Sequence, residues 1–311
     1  MSCVLGIDTS NYTTSAALYD SETHTVYQQK LLLPVREGAI GLKQSDAVFH
    51  HTQQLPRVLK SLFAETGLHP DAVSVSTRPR DQEGSYMPCF TVGAGVASAI
   101  ASAFSLPVAE CSHQQGHLAA ALYSCGKLEW IHRKFLAFHV SGGTTDALLV
   151  EPDSERVLSP KLVASSLDLK AGQAVDRVGV MLGLKFPAGR SLDILAQQST
   201  AEFKIRPTLR GVNCSLSGIQ NQCEKMLQQG ETPADIARFC IESVCAALDA
   251  MTERLLQQYG ELPLVYAGGV MSNSIISARL GKKYGASFAA PEFSCDNAAG
   301  VALLGWIKLY S

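Results

Sequence analysis

The chain has 311 residues, of which 46% are hydrophobic and 17% are charged. That length and apolar content are enough to bury a large core and predict two domains. The formal net charge of −2 excludes a protein that binds nucleic acid through overall positive charge. Contact with RNA would need a local basic patch or a partner protein. The candidates for such a patch are Arg206, Arg210, Lys282 and Lys283, although charged residues of this kind are most often an ordinary solvated surface.

The nine cysteines show no CxxC spacing and lie mostly among apolar residues, as Cys240 and Cys245 do. Reduced, buried thiols in a cytoplasmic protein explain this pattern better than a disulfide framework does. No run of about 18 apolar residues occurs, so no membrane span is expected. The first seven residues lack the basic and apolar segments of a signal peptide, which also favours a cytoplasmic location.

The first half of the chain begins with a predicted β-hairpin. Residues 3–7 predict a buried strand that ends in Asp8-Thr9-Ser10, and residues 14–19 and 26–33 predict the next two strands. The turn displays a carboxylate and hydroxyls, which suits a phosphate or metal-water site, although the same residue types are common in ordinary Asx turns. Asp8 and Ser10 are therefore the candidate catalytic residues.

Helices and strands then alternate. A helix is expected over residues 42–66, broken only at Pro56, followed by a strand over 72–77 and a polar loop over 78–84. The small residues of 91–104 predict a closely packed helix, and 107–109 predict a strand.

His113 and His117 stand four residues apart at the start of the next predicted helix. At this spacing both imidazoles lie on one helix face, about one turn apart, so both can reach a single divalent cation. Two histidines on a solvated helix face would give the same pattern, so the pair alone leaves both interpretations open.

The second half repeats this plan. Residues 135–140 predict a strand that ends in Ser141-Gly142-Gly143-Thr144-Thr145, and 147–150 predict the return strand. This turn and Asp8-Thr9-Ser10 hold equivalent strand–turn–strand positions, about half the chain apart. The duplication predicts an α/β fold of the actin/hexokinase/Hsp70-like (ASKHA) class, with two duplicated lobes and a nucleotide and metal cleft between them. A Rossmann fold is disfavoured because no GxGxxG follows the first strand.

The expected N-terminal lobe is 1–112 with 291–311, and the expected C-terminal lobe is 113–290. In the latter, a strand over 264–267 ends in Gly268-Gly269, a pair that lets a ligand approach backbone amides. Asp296 and Asn297 open a final helix over 298–309, where an N-cap is the simplest role for Asp296.

Together, seven motifs resemble those of the tRNA threonylcarbamoyladenosine transferase family, the TsaD/Gcp-like proteins formerly described as O-sialoglycoprotein endopeptidases. The resemblance covers nearly the whole chain in the family's order. The motifs are His113-Gln-Gln-Gly-His117, Ser141-Gly-Gly-Thr-Thr145, Ala171-Gly-Gln-Ala-Val-Asp176, Leu182-Gly-Leu-Lys-Phe-Pro-Ala-Gly189, Ser215-Leu-Ser-Gly218, Ala267-Gly-Gly-Val-Met-Ser-Asn273 and Cys295-Asp-Asn297.

The resemblance implies one divalent metal ion, iron or zinc, held by His113, His117 and Asp296. One branch of the family adds a tyrosine two residues before the SGG motif, and this chain has His139 there. An imidazole at that position would complete or support the site. The alternative for His139 is a buried strand histidine satisfied by a backbone carbonyl.

The resemblance also implies a site for ATP, AMP or a carbamoyl-adenylate, with or without Mg²⁺. Carboxylates there would accept hydrogen bonds from ribose hydroxyls or the base, and glycine pairs would expose backbone amides to phosphate. The implied residues are Val140, Ser141, Gly142, Gly143, Thr144, Asp176, Gly189, Asp193, Gly268, Gly269 and Asn273.

The implied reaction is metal-dependent transfer of a threonylcarbamoyl group from a carbamoyl-adenylate to adenosine of tRNA, with release of AMP. The implied partners are tRNA and the accessory subunits of a threonylcarbamoylation complex, or a paralogous small partner, and an oligomer is compatible with the sequence. A zinc protease is disfavoured because no HExxH with a general-base glutamate occurs.

The sequence departs from the family pattern in three places. Tyr12 and Thr13 replace an acidic pair, Thr144 replaces a histidine or asparagine, and Arg78-Pro79-Arg80 replaces a Gly-Pro-Gly loop. Two guanidiniums in that loop could recognise phosphate or carboxylate. A divergent member or paralogue therefore stays open: a carbamoyl or acyl transferase with a small-molecule or protein acceptor, or a non-catalytic ATP-binding partner subunit.

Overall fold

The computed structural model describes residues 2–10, 12–34 and 42–311. The strands are β1 (Cys3–Asp8), β2 (Thr13–Asp20), β3 (Thr25–Leu32), β4 (Ala72–Arg78), β5 (Val108–Ser112), β6 (Phe135–Val140), β7 (Thr145–Asp153), β8 (Val157–Ser165), β9 (Thr208–Arg210), β10 (Asn213–Ser215), β11 (Leu264–Ala267) and β12 (Ser287–Phe288). The helices are α1 (Gln44–Thr66), α2 (Phe90–Phe104), α3 (His113–Ser124), α4 (Ala171–Met181), α5 (Gly189–Ala196), α6 (Ser217–Gln228), α7 (Pro233–Tyr259), α8 (Ser274–Tyr284) and α9 (Ala299–Tyr310).

The chain divides into two compact units. Unit 1 comprises Met1–Arg133, Glu151–Pro160 and Glu292–Ser311, and unit 2 comprises Lys134–Val150 and Lys161–Pro291. The expected lobe boundary fell at residue 112, whereas α3 belongs to unit 1 because it packs against α9 of the same unit.

Unit 1 is built on a five-stranded sheet in the order β3-β2-β1-β4-β5. The first three strands pair antiparallel, and β4 and β5 join parallel to β1. Alternate residues of β1 face opposite sides of this sheet. Leu5 and Ile7 enter the core formed with α1 and α2, whereas a side chain at Gly6 would collide with the backbone of Ala298, just before α9, and of Ala302 within it. Helices therefore cover both faces.

Unit 2 repeats the strand order. Its sheet runs β8-β7-β6-β11-β12, in which β6 and β7 pair antiparallel while β11 and β12 continue parallel to β6. A small antiparallel sheet of β9 and β10 accompanies it. The long helix α7 supplies much of the buried core, including Ile241, Val244 and Leu248. The predicted duplication of a β-hairpin followed by parallel strands is confirmed.

One local expectation was wrong, and one alternative does not apply. Helix α1 runs from Gln44 to Thr66 without a break at Pro56, since packing of its buried face outweighs the loss of one backbone hydrogen bond. The final helix begins at Ala299, and it is Asn297 whose side chain accepts a hydrogen bond from the Ala299 amide. Asp296 is therefore released from the capping role. Within the described residues, no helix combines the length and apolarity that a bilayer crossing requires.

Candidate functional site

The start of α3 is fixed by its own sequence. Strand β5 ends at Ser112, whose hydroxyl accepts from the Gln115 amide at 3.3 Å while the Gln115 side chain accepts from the Ser112 amide at 2.8 Å. This reciprocal capping box starts the helix at His113. As a result, the rings of His113 and His117 lie on one face with centroids 4.3 Å apart.

The side chain of Gln115 has a second role. Its amide nitrogen donates to the carbonyl oxygens of Arg156 at 3.0 Å and Leu158 at 2.7 Å. Both carbonyls belong to Glu151–Pro160, the segment of unit 1 that contains the end of β7, the turn and the start of β8. The middle residue of the histidine motif thus ties this segment to the first turn of α3.

Two glycines bring the remaining acidic group to the histidines. Gly116 of α3 and Gly300 of α9 face each other so closely that a Cβ on Gly300 would overlap the Gly116 carbonyl and lie 2.7 Å from the Ala120 nitrogen. Only glycine permits this approach of the two helix backbones. It places Asp296, which precedes α9, over the histidine face of α3.

Asp296, His113 and His117 have the geometry of a metal site. Asp296 Oδ1 lies 3.5 Å from His113 Nε2 and 3.3 Å from His117 Nε2. One ligand atom from each of the three residues can be chosen so that all lie within 4.8 Å of one another. Ligands about 2.1 Å from a tetrahedral zinc ion are separated by roughly 3.4 Å, so these side chains fit a divalent cation with little movement.

The side chains remain partly open to solvent. Their exposed fractions are 18% for His113, 13% for His117 and 24% for Asp296. Three protein ligands leave one position of a tetrahedral site for substrate or water, the arrangement of catalytic rather than structural zinc sites. Within the described residues, this is the only cluster of three or more His, Cys, Asp or Glu side chains with metal-site spacing.

Asp8, predicted as catalytic, lies behind the histidines. It is fully buried at the end of β1, and its Oδ1 accepts from His113 Nδ1 at 3.2 Å. The hydroxyl of Ser76 donates to the same oxygen, and that of Ser10 donates to Oδ2 at 2.5 Å. An ionised carboxylate only accepts, so Asp8 keeps a proton on Nδ1 and leaves Nε2 as the ligating atom.

In this cluster, the carboxylates favour the protonated form of His113, and protonated His113 favours the ionised form of Asp8. Burial alone would raise the pKa of Asp8, but the imidazolium of His113 and the hydrogen bonds from His113, Ser10 and Ser76 bring it below its usual value. Burial would likewise lower the pKa of His113, yet Asp8 and Asp296 raise it to about 10. A bound cation would take the place of the Nε2 proton, while the Nδ1 proton stays with Asp8.

Replacing Asp8 with asparagine is expected to speed the release of bound zinc by about 10-fold or more, because partners that orient a ligating histidine contribute roughly 10- to 100-fold in metal affinity. Asparagine has nearly the same shape as aspartate, but it lacks the carboxylate that must accept the proton of His113 Nδ1. The release rate is measured by transfer of zinc to a chelator. Ser15→Ala is the matched control, since the Ser15 hydroxyl donates to the backbone oxygen of Asp8 and not to its carboxylate. Equal release rates in the two variants would contradict the orienting role.

The predicted nucleotide-binding residues all lie in unit 2. Ser141 and Thr144 close the turn after β6, with the Ser141 amide donating to the Thr144 carbonyl at 2.7 Å. Helix α4 abuts this turn, since a Cβ on Gly172 would lie 2.6 Å from the Gly142 backbone. Gly268, with φ of 101°, packs on the backbone of Val140. Gly172 and Gly268 thus pack against the turn after β6, in which Gly142 and Gly143 are exposed.

The other polar members of the set make hydrogen bonds within unit 2. Asp193 accepts from the amide and hydroxyl of Ser274 at 3.0 and 2.9 Å, and Asn273 caps the same helix, α8. Asp176 accepts from the Ala188 amide at 2.7 Å, next to Gly189 at the start of α5. Their side chains hold helix termini in place, and contact with a nucleotide stays a prediction.

His139 also belongs to unit 2. It occupies the next-to-last position of β6, paired across the sheet with Asp146 and Ala267. Its membership of the metal set stays a prediction.

The positions that depart from the family pattern differ in their surroundings. The Arg78 guanidinium contacts Asp81 at 2.6 and 2.8 Å and donates to Thr77. These contacts occupy the guanidinium within its own loop, which is hydrogen-bonded to α3 through the Gln114 amide and the Pro79 carbonyl. Thr13 is buried in β2, and Tyr12 is exposed. Asn11, beside them in the first turn, lies outside the described residues.

Three residues that shape these sites were not identified from the sequence. Ser76 belongs to no motif and becomes relevant only because β4 lies beside β1 in the sheet. Gly300 lies in the final helix, and no sequence motif distinguishes it from the residues around it. Gly172 lay inside a recognised motif, but its packing on the turn after β6 could be read only from the structure.

Comparison with solved structures defines the class of the fold. HypF in its phosphate- and nucleotide-bound form matches 98% of this chain at 14% identity and a TM-score of 0.60. HypF from T. kodakarensis matches 99% at 13% identity and 0.61. Component A of (R)-2-hydroxyglutaryl-CoA dehydratase from Acidaminococcus fermentans matches 99% of each chain at 14% identity and 0.55. The chain spans about half the length of the HypF chains, 54% and 47%.

The structure is therefore an ASKHA fold with two mixed sheets, as expected. The family model of TsaD, tRNA N6-adenosine threonylcarbamoyltransferase, matches residues 36–303. The chain belongs to the TsaD family, and this membership supports a transferase of the carbamoyl type.

Proposed function

We propose that the protein transfers a threonylcarbamoyl group from a carbamoyl-adenylate to the N6 amine of an adenosine in tRNA. The observation that carries the proposal is the match to the TsaD family over residues 36–303. The convergence of His113, His117 and Asp296 on one point supports it. The proposed setting is a cytoplasmic complex with accessory subunits.

In the proposed reaction the adenosine amine attacks the carbamoyl carbon. A carbon–nitrogen bond forms, the bond from that carbon to the AMP phosphate oxygen breaks, and the amine loses a proton as AMP leaves. Iron or zinc at His113, His117 and Asp296 would supply Lewis-acid polarisation of a substrate oxygen. Asp8 holds the His113 ring in its ligating orientation, while Ser10 and Ser76 hold Asp8.

The nucleotide part of the substrate is proposed to use the turn after β6. Gly142 and Gly143 carry no side chain and are exposed, so their backbone amides can face phosphate oxygens. The other residues proposed for this site are Val140, Ser141, Thr144, Asp176, Gly189, Asp193, Gly268, Gly269 and Asn273, with His139 as a further metal ligand.

The test is reconstitution of transfer with threonine, bicarbonate, ATP, an adenylate-forming partner and unmodified tRNA. We expect threonylcarbamoyladenosine in the digested tRNA, together with AMP release that depends on tRNA. Asp296→Ala should reduce product more than about 100-fold through loss of a direct metal ligand. His69→Ala is the matched control, because His69 is exposed in a loop outside the site.

Other outcomes identify the alternatives. Transfer of the threonylcarbamoyl group to a small molecule or a protein, with tRNA left unmodified, would show that the protein is a transferase whose acceptor is not tRNA. Nucleotide binding without metal and without any transfer would identify a non-catalytic partner subunit. Either result contradicts the proposed function.

A further inference from the structure

Residues 201–210 of unit 2 alternate between partly buried and exposed positions. Phe203 packs edge-on against Phe239 at 5.3 Å, and Leu209 packs against the core of the unit. The intervening residues Lys204, Arg206, Thr208 and Arg210 are exposed. In an extended segment every second side chain lies on one face and repeats at about 6.6 to 6.8 Å.

The alternating burial of this segment has local causes. Arg206 precedes Pro207, and a residue before proline is pushed away from the helical region. Thr208–Arg210 then forms β9, paired antiparallel with β10. Phe203 and Leu209 pack against the rest of unit 2 and hold the inner face of the segment. Their packing therefore fixes the direction in which the exposed face points.

Three cations of this face carry uncompensated charge. Within the described part of the chain, Lys204, Arg206 and Arg210 form no ion pair. Exposed Arg254 lies at the end of the row, since its guanidinium donates to the Gly211 carbonyl in the β9–β10 turn. We call Lys204, Arg206, Arg210 and Arg254 the basic ladder. One acidic residue, Glu202, precedes it with the same exposure.

The second basic pair noted in the sequence, Lys282 and Lys283, differs from the ladder because Lys283 forms ion pairs. Lys283 contacts Asp249 at 2.7 Å and Glu253 at 2.6 Å, so its charge is neutralised on the surface of α7 and α8. Of the four candidates for an RNA-binding patch, Arg206 and Arg210 are the two that the structure places in one row.

We propose that the basic ladder binds the phosphate backbone of the tRNA acceptor, an inference that rests on the proposed function. A nucleic acid strand carries a row of negative charges, and the ladder presents a row of positive charges on one exposed face, interrupted only by the neutral Thr208. Three of the four members are arginines, which present paired donors to phosphate. Because the whole chain has a net charge of −2, any attraction of RNA by the chain itself must come from such a local surface.

The test compares two double variants by fluorescence anisotropy with labelled tRNA over a series of salt concentrations. Arg206→Gln with Arg210→Gln removes two ladder charges. Arg57→Gln with Lys60→Gln removes two exposed charges from α1 of unit 1 and serves as the matched control. We expect the ladder variant to bind tRNA roughly 10-fold more weakly, with the slope of log affinity against log salt reduced by about 2.

Both variants should keep the wild-type melting temperature, since all four side chains are exposed. If the ladder and control variants bind tRNA with equal affinity while the wild type binds and modifies tRNA, the role of the basic ladder is wrong and the proposed function is unaffected. A wild type that neither binds nor modifies tRNA would overturn the proposed function as well. Loss of binding to a polyglutamate peptide, with tRNA affinity unchanged, would assign the ladder to an acidic protein instead.

Discussion

Replacing Gly300 with alanine is expected to destabilise the protein by at least about 3 kcal/mol and to abolish metal binding. The added methyl group would overlap the Gly116 carbonyl and crowd the Ala120 amide, both of which are backbone atoms. No side-chain rotation can relieve such a contact, so α9 must move away from α3. Asp296 would move with α9, because only two residues separate it from the first helical position.

Gly95→Ala is the matched control for this substitution. Gly95 also lies within a helix of unit 1, but a Cβ there meets no atom within 4 Å. Alanine at that position should leave stability unchanged or raise it by about 0.5–1 kcal/mol. Thermal melting and metal content measured on both variants separate the helix contact from the general effect of adding a methyl group. A Gly300 variant as stable and metal-loaded as the Gly95 variant would show that the contact is unimportant.

Removing a direct ligand should have the largest effect on the metal itself. For His113→Ala and for Asp296→Ala, we expect the bound metal to fall from about one ion per chain to near none, because a direct ligand outweighs the roughly 10- to 100-fold effect of an orienting partner. The metal is measured by elemental analysis and by the absorption spectrum of the cobalt-substituted protein. His69→Ala should retain it. A full metal complement in both ligand variants would disprove the site.

Strand–turn–strand motifs and the paired histidines could be predicted from the sequence because each depends on local spacing. The apolar runs of β1, β6 and β11 and the four-residue interval between His113 and His117 suffice for that purpose. The resemblance to a family added Asp296, which no periodicity connects to the histidines. The structure supplied the physical reason, a contact between two glycines on helices distant in sequence.

The second layer of the site could not be predicted for a different reason. Ser76 reaches Asp8 only through the register of β1 with β4, and register is a property of pairing rather than of either strand. Asp193 and Asn273 show the opposite case. Their residue types suit both a helix cap and a nucleotide contact, and the structure shows the cap.

The long stretch of sequence between α3 and α9 has a consequence for synthesis. All five strands of the unit 1 sheet are complete by Ser112, but Asp296 follows His117 by 179 positions (296 minus 117). At roughly 5 to 20 residues per second, about 10 to 35 s separate the two events on the ribosome. During that interval the sheet lacks its covering helix and the histidines lack their carboxylate, so these three residues can bind a metal together only after the whole segment from His117 to Asp296 has been made.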